Sequence, residues 1–143
     1  MSKGNTFEND WMRLVFNATP IANLADNASA SPLTSLYVSL HTADPGEGGA
    51  QSTSEATYAG YARIAVSRSV AGWTITNNAA TNAADVVFGT CTSGADTLTH
   101  FAVGTDVSGS GKILYRGSLS GSVAVSSGIR PEFLSGSITI SED

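Results

Sequence analysis

Leu36-Tyr37-Val38-Ser39-Leu40-His41-Thr42-Ala43-Asp44-Pro45-Gly46-Glu47-Gly48-Gly49 is the stretch that decides the fold class of this chain. Leu36, Val38 and Leu40 alternate with Tyr37, Ser39 and His41, the two-residue period of a strand, expected over Ser35 to His41, with one face on a core and the other outside. Asp44-Pro45-Gly46 ends it, because proline presets the backbone at the second position of a turn and glycine accepts the left-handed angle that follows. Gly46, Gly48 and Gly49 are then followed by Gln51-Ser52-Thr53-Ser54-Glu55 on the way to Gly60, a 42–60 interruption long enough to be read as a contact loop, with a solvated hairpin tip as the alternative.

Outward from this strand the pattern is β throughout. The further strands expected are Tyr61 to Val70, Trp73 to Asn77, Asp85 to Gly89, Thr97 to Gly104, Lys112 to Gly117, Gly121 to Val125 and Ser137 to Ser141. Turn signals such as Ser93-Gly94-Ala95-Asp96 and Ser108-Gly109-Ser110-Gly111 lie between them. About eight short strands with no intervening helices predict an all-β, antiparallel two-sheet sandwich of jelly-roll type, with Greek-key barrels as the alternative. One helix is expected near the N-terminus. Asn5 is its cap, Glu8 completes the capping-box spacing, and Phe7, Trp11, Leu14 and Val15 form its apolar stripe. It should stop before Thr19-Pro20. Ile21 to Pro32 reads as a loop, so the organisation expected is an N-terminal helix and extended arm over 1–32 and a β-sandwich over 33–143.

Composition narrows the function. The 143 residues carry a formal charge of −5, and only 13% are charged, against about 25% in ordinary soluble proteins. A polar, weakly charged surface suits a chain that packs beside copies of itself or a scaffold. The seven basic residues are scattered from Lys3 to Arg130, which argues against nucleic acid as a partner. The start shows no signal-peptide pattern and no run is long enough for a membrane span, so synthesis in a cytoplasm is expected, with no membrane partner. The one cysteine, Cys91, and Trp73 are expected in the core.

Chemistry has thin support. His41 and His100 fall on the non-core faces of their strands, with no nucleophile motif beside them. His41 and Asp44 share a strand end, but two ligands make no metal cage. Asp106-Val107-Ser108-Gly109-Ser110-Gly111 opens like a calcium loop and then presents Gly117 where a bidentate Glu is required. Asp44 with Glu47, and Asp85 with Asp96, belong to turns, where carboxylates usually bond backbone or water. No catalytic residue, cofactor or metal is therefore expected. Contact residues are the better expectation: Phe7, Trp11 and Val15 on the helix, Asp44 and Glu47 on the loop, and Tyr58 and Tyr61 at its end.

Leu36 to Glu47, Glu55-Ala56-Thr57-Tyr58-Ala59-Gly60-Tyr61-Ala62-Arg63, Ala71-Gly72-Trp73, Leu98-Thr99-His100-Phe101-Ala102-Val103-Gly104 and Gly111-Lys112-Ile113-Leu114-Tyr115 together resemble a family of small structural proteins of tailed bacteriophages. The resemblance runs from about Leu33 to the C-terminus; Phe88-Gly89 departs from the Phe-Pro it leads one to expect. Relatives are often labelled tail fibre proteins, and the family also looks like capsid cement proteins. It implies a virion protein, with a cement role on the outer capsid surface as the expectation and a tail fibre or baseplate role with host-surface binding as the alternative. The short chain, without fibre repeats or heptads, favours cement. Its partners would be the major capsid protein and itself, as a homodimer or else a trimer.

Overall fold

In a computed structural model of the chain, residues 5–21 and 33–142 are described, with the side chains of Asn5 and Phe7 outside that set. Among the described residues the order is α1 (Asn5–Asn17), β1 (Ser35–His41), β2 (Ile64–Ser67), β3 (Trp73–Thr76), β4 (Ala79–Asn82), β5 (Val86–Val87), β6 (Asp96–Gly104), β7 (Ile113–Val125), β8 (Glu132–Phe133) and β9 (Thr139–Ser141). The strands form sheets in the orders β2-β1-β6-β7, β3-β4-β9 and β5-β8. The class is all-β and antiparallel with one short helix, consistent with the expected sandwich. The asparagine cap and the 22–32 part of the arm lie outside the described residues.

The chain divides into two units, one drawn from Met1–Ser35, Val66–Asp85 and Phe133–Asp143, the other from Leu36–Ala65 and Val86–Glu132. In the first, α1 packs on β3 and β4. Its buried stripe is Met12 and Phe16, both fully buried, with the Phe16 ring 4.7 Å from that of Trp73. The expected stripe was one position out: Trp11 is 36% exposed and Leu14 and Val15 are half-buried. Helical spacing gives a stripe's width, and Met12 and Phe16, four apart, satisfy it as well as Trp11 and Val15 do.

The helix stops where Thr19-Pro20 requires. Ala18 turns left-handed at φ 53°, and the Thr19 N–H reaches back to the Arg13 carbonyl at 3.1 Å. Arg68 then caps the last turn, donating Nε to the Val15 carbonyl and Nη2 to that of Leu14, both at 2.6 Å. Asn82, 1% exposed, does a similar service for the β9 connection. Its amide donates to the Ala84 and Leu134 carbonyls, and its Oδ1 accepts from the Ile138 N–H.

In the second unit β1 pairs β6 from Tyr37↔Gly104 to His41↔His100, and β6 pairs β7 from Asp96↔Val125 to Gly104↔Ile113. Leu36, Val38 and Leu40 are buried as expected, and so are Leu98, Ala102, Val103 and Cys91. Ser39 and His41 are buried too, which corrects the expectation that His41 faces outward. β1 is an interior strand, and the segment that follows it folds back over its second face.

Candidate functional site

The fold-back is the 42–60 loop, and its order comes from polar side chains. Asp44 makes the expected turn: its Oδ1 accepts the Gly46 N–H at 2.9 Å while Gly46 sits at φ 74°. Ala50 then bridges to Lys112, and the Gln51 N–H donates to the Gly111 carbonyl at 2.9 Å. The Gln51 side chain is fully buried. Nε2 donates to the Tyr37 carbonyl at 3.3 Å and Oε1 accepts the Asp106 N–H at 3.0 Å. A Cβ on Gly104 would meet Gln51 Cδ at 2.2 Å, and one on Gly111 would meet its Oε1 at 2.3 Å, so two glycines make the space this amide occupies.

Further along, Thr53 and Glu55 close over β1. His41 Nδ1 lies 2.9 Å from the Thr53 carbonyl, which can only accept, so Nδ1 carries the proton and Nε2 accepts from Ser39 Oγ at 2.9 Å. Burial holds the imidazole below its ordinary pKa; the Thr53 bond and Glu55 push the other way, and Arg63 and His100 add to the lowering. Arg63, 6% exposed, clamps Glu55 through Nε and Nη2 at 2.7 and 2.8 Å. Its remaining donors reach the carbonyls of Asp106 and Gly109 at 2.9 and 2.5 Å. The loop that opens like a calcium site is thus organised by a guanidinium, whose donors hold the Asp106 and Gly109 carbonyls.

Tyr58 and Tyr61 belong to this interior rather than to a contact face. Tyr58 is 3% exposed, donates to the Gly89 carbonyl at 3.2 Å, and has its phenol pushed up to about 12, mainly by burial. Tyr61 is half-buried: its hydroxyl donates to Glu55 at 2.8 Å and accepts the Leu40 N–H at 3.1 Å, and its ring stacks on Phe88 at 6.1 Å. Burial raises its pKa as well. The loop ends in a close backbone crossing. A Cβ on Gly89 would lie 1.9 Å from the Gly60 carbonyl oxygen, and one on Gly60 would lie 2.2 Å from that of Thr90. That contact accounts for glycine at 89, the position where the resemblance leads one to expect proline.

Asp44 and Glu47 remain exposed at the loop's outer side. Asp44 pairs with Arg116 of β7, one guanidinium nitrogen 2.7 Å from each carboxylate oxygen, and the Gly46 N–H, followed by Arg116, holds its carboxyl below the usual range. On α1, Trp11 is partly exposed, Val15 is half-buried, and the Phe7 side chain lies outside the described residues. Asp85 and Asp96 accept backbone N–H groups, Ser135 for the one and Thr57 and Tyr58 for the other, as carboxylates in turns are expected to do. Among the described residues no three His, Cys, Asp or Glu side chains are grouped to hold a metal.

One exposed element escaped the sequence reading. Lys112 to Gly117 and Gly121 to Val125 were expected as separate strands and form one, β7, at the edge of the four-stranded sheet. Its far half, from Ser118 to Ala124, is exposed apart from half-buried Leu119. Gln51 and Arg63 were missed as well. A glutamine inside the glycine-rich loop and an arginine shortly after it were their only signals.

No curated protein matches the chain. A family model described as podophage GP4 fiber I protein gp80 matches residues 5–141, nearly the whole length. The chain therefore belongs to the podophage GP4 fiber I protein gp80 family and is a bacteriophage structural protein.

Proposed function

We propose that this protein is a component of a podophage fibre, with a role at the host-facing surface of the virion. The observation that carries the reading is the family match, which spans residues 5–141 and whose description names a fibre. It shifts the weight from the capsid-cement role to the fibre alternative. The site geometry agrees with a module that presents surface and does no chemistry. Both ring nitrogens of His41 are engaged and buried, Arg63 and Glu55 neutralise each other, and Asp44, Asp85 and Asp96 hold backbone N–H groups. The surface open to a partner includes the outer side of the loop, where Glu47 is exposed beside the Asp44–Arg116 pair, and Trp11 on α1 is partly exposed.

Antibody labelling of intact particles, read by electron microscopy, tests the proposal. Label on the fibres is the expected outcome. Label spread over the head supports the cement role, with the major capsid protein as partner, and overturns the fibre reading.

A further inference from the structure

We infer that the outer edge of β7 pairs antiparallel with the same edge of a second copy, about a two-fold axis at Gly121. The pairing goes beyond the fibre reading and does not rest on it.

β7 runs thirteen residues, Ile113–Val125, and terminates its sheet. On its inner side Leu98 opposes Val123 and His100 opposes Ser118, so the four residues 119–122 face Thr99 alone. Outside the sheet ladder, the backbone hydrogen bonds of the described residues include none from Gly117 to Ala124. An exposed strand edge is a template for another strand, and proteins that stay single blunt it with lysine, proline, inward charges or a covering segment. Here the run Gly117-Ser118-Leu119-Ser120-Gly121-Ser122-Val123-Ala124-Val125 holds no charge and no proline. In a chain of net charge −5, this is an edge where two copies approach without like charges meeting.

The sequence of the edge specifies what covers it. Read outward from Gly121 in both directions it matches itself: Ser120 answers Ser122, Leu119 answers Val123, and Ser118 answers Ala124. Two-fold pairing requires that kind of self-complementarity, because each residue meets its counterpart twice. In this register Leu119 of one copy packs on Val123 of the other, and again with the roles exchanged, while the serines line the opposite face. Arg116 falls opposite Ser126, so no two cations are opposed. Gly121 at the centre lets the backbones approach, and a Cβ there would meet nothing within 4 Å in the single chain.

Sedimentation equilibrium of the full chain, with two variants and a control, tests this. The wild type should run at twice the mass of one chain. Gly121→Lys sets two ammonium groups against each other on the axis and has open space in the monomer, so it should fall to the mass of one chain. Gly48→Lys adds the same charge on the loop, where space is also open, and should remain a dimer. Gly121→Cys should cross-link to itself under mild oxidation, since directly opposed Cα atoms in antiparallel strands lie about 4.5–5.5 Å apart. A wild type that sediments as a monomer or trimer overturns the inference, and so does a Gly121→Lys variant that stays dimeric.

Discussion

Two segments of the same unit are rich in glycine and serine and end up opposite in character. The 42–60 loop, without regular structure, has backbone and side chains tied down at Gln51, Thr53, Glu55 and Ala59. The far half of β7 is a strand, yet its outer edge is open and its inner edge half unmatched at 119–122. Small polar residues therefore say little about order. What decides it is where the buried donors and acceptors find partners, and in the loop a few large polar side chains supply them.

The contrast breaks first at Arg63. Arg63→Ala leaves Glu55 without its cation, with only the Tyr61 hydroxyl still donating to it, and two loop carbonyls without donors, and should cost about 3 kcal/mol in urea unfolding. A loss under about 1 kcal/mol would mean the loop is held by something else. Gln51→Ala is next, at about 1–3 kcal/mol, because the Asp106 N–H and Tyr37 carbonyl lose a buried partner.

His41 gives a pH signature. Its folded pKa lies below the ordinary 6.5, so at lower pH the unfolded chain takes up a proton that the folded chain refuses. Stability from this group is at its full value above pH 6.5. It falls as pH drops below 6.5, by at most about 1.4 kcal/mol per unit, and levels off at the folded pKa. Unfolding midpoints measured from pH 7.5 down to the onset of carboxylate titration should show this slope in the wild type and lose it in His41→Asn. On the other side of the comparison, Ser122→Glu on β7 should change monomer stability by no more than about 0.5 kcal/mol, as for exposed positions without partners.

How far the sequence could be read follows the same division. β1 was legible to the residue, because Leu36, Val38 and Leu40 carry its core face by alternation, and β6 was expected within one residue of Asp96–Gly104. Trp73 and Cys91 were placed in the core by their residue types. β4 was missed: Ala79-Ala80-Thr81-Asn82 has little strand propensity and is held by pairing on both sides, with β3 and β9. The helix was found and its stripe misplaced by one position, since Trp11 outranks Met12 in hydrophobic bulk and only the Phe16–Trp73 contact shows which side faces in. His41 was put outside because alternation distinguishes two faces of a strand without telling whether a distant segment covers the second. Glu55 and Arg63 were not legible as a pair, and Tyr58 and Tyr61 passed for contact residues because a phenol reads the same whether its hydroxyl meets water or a buried carboxylate.

Amide hydrogen exchange on the Gly121→Lys variant tests the contrast most directly, because it removes the inferred pairing and leaves the single chain. The amides of Gln51 and Ala56, bonded to the carbonyls of Gly111 and Leu40, should be strongly protected, while those of Leu119, Ser120 and Ser122 exchange at nearly free rates. Rapid exchange at Gln51 and Ala56, or protection across Leu119 to Ser122 in the variant, would contradict the account.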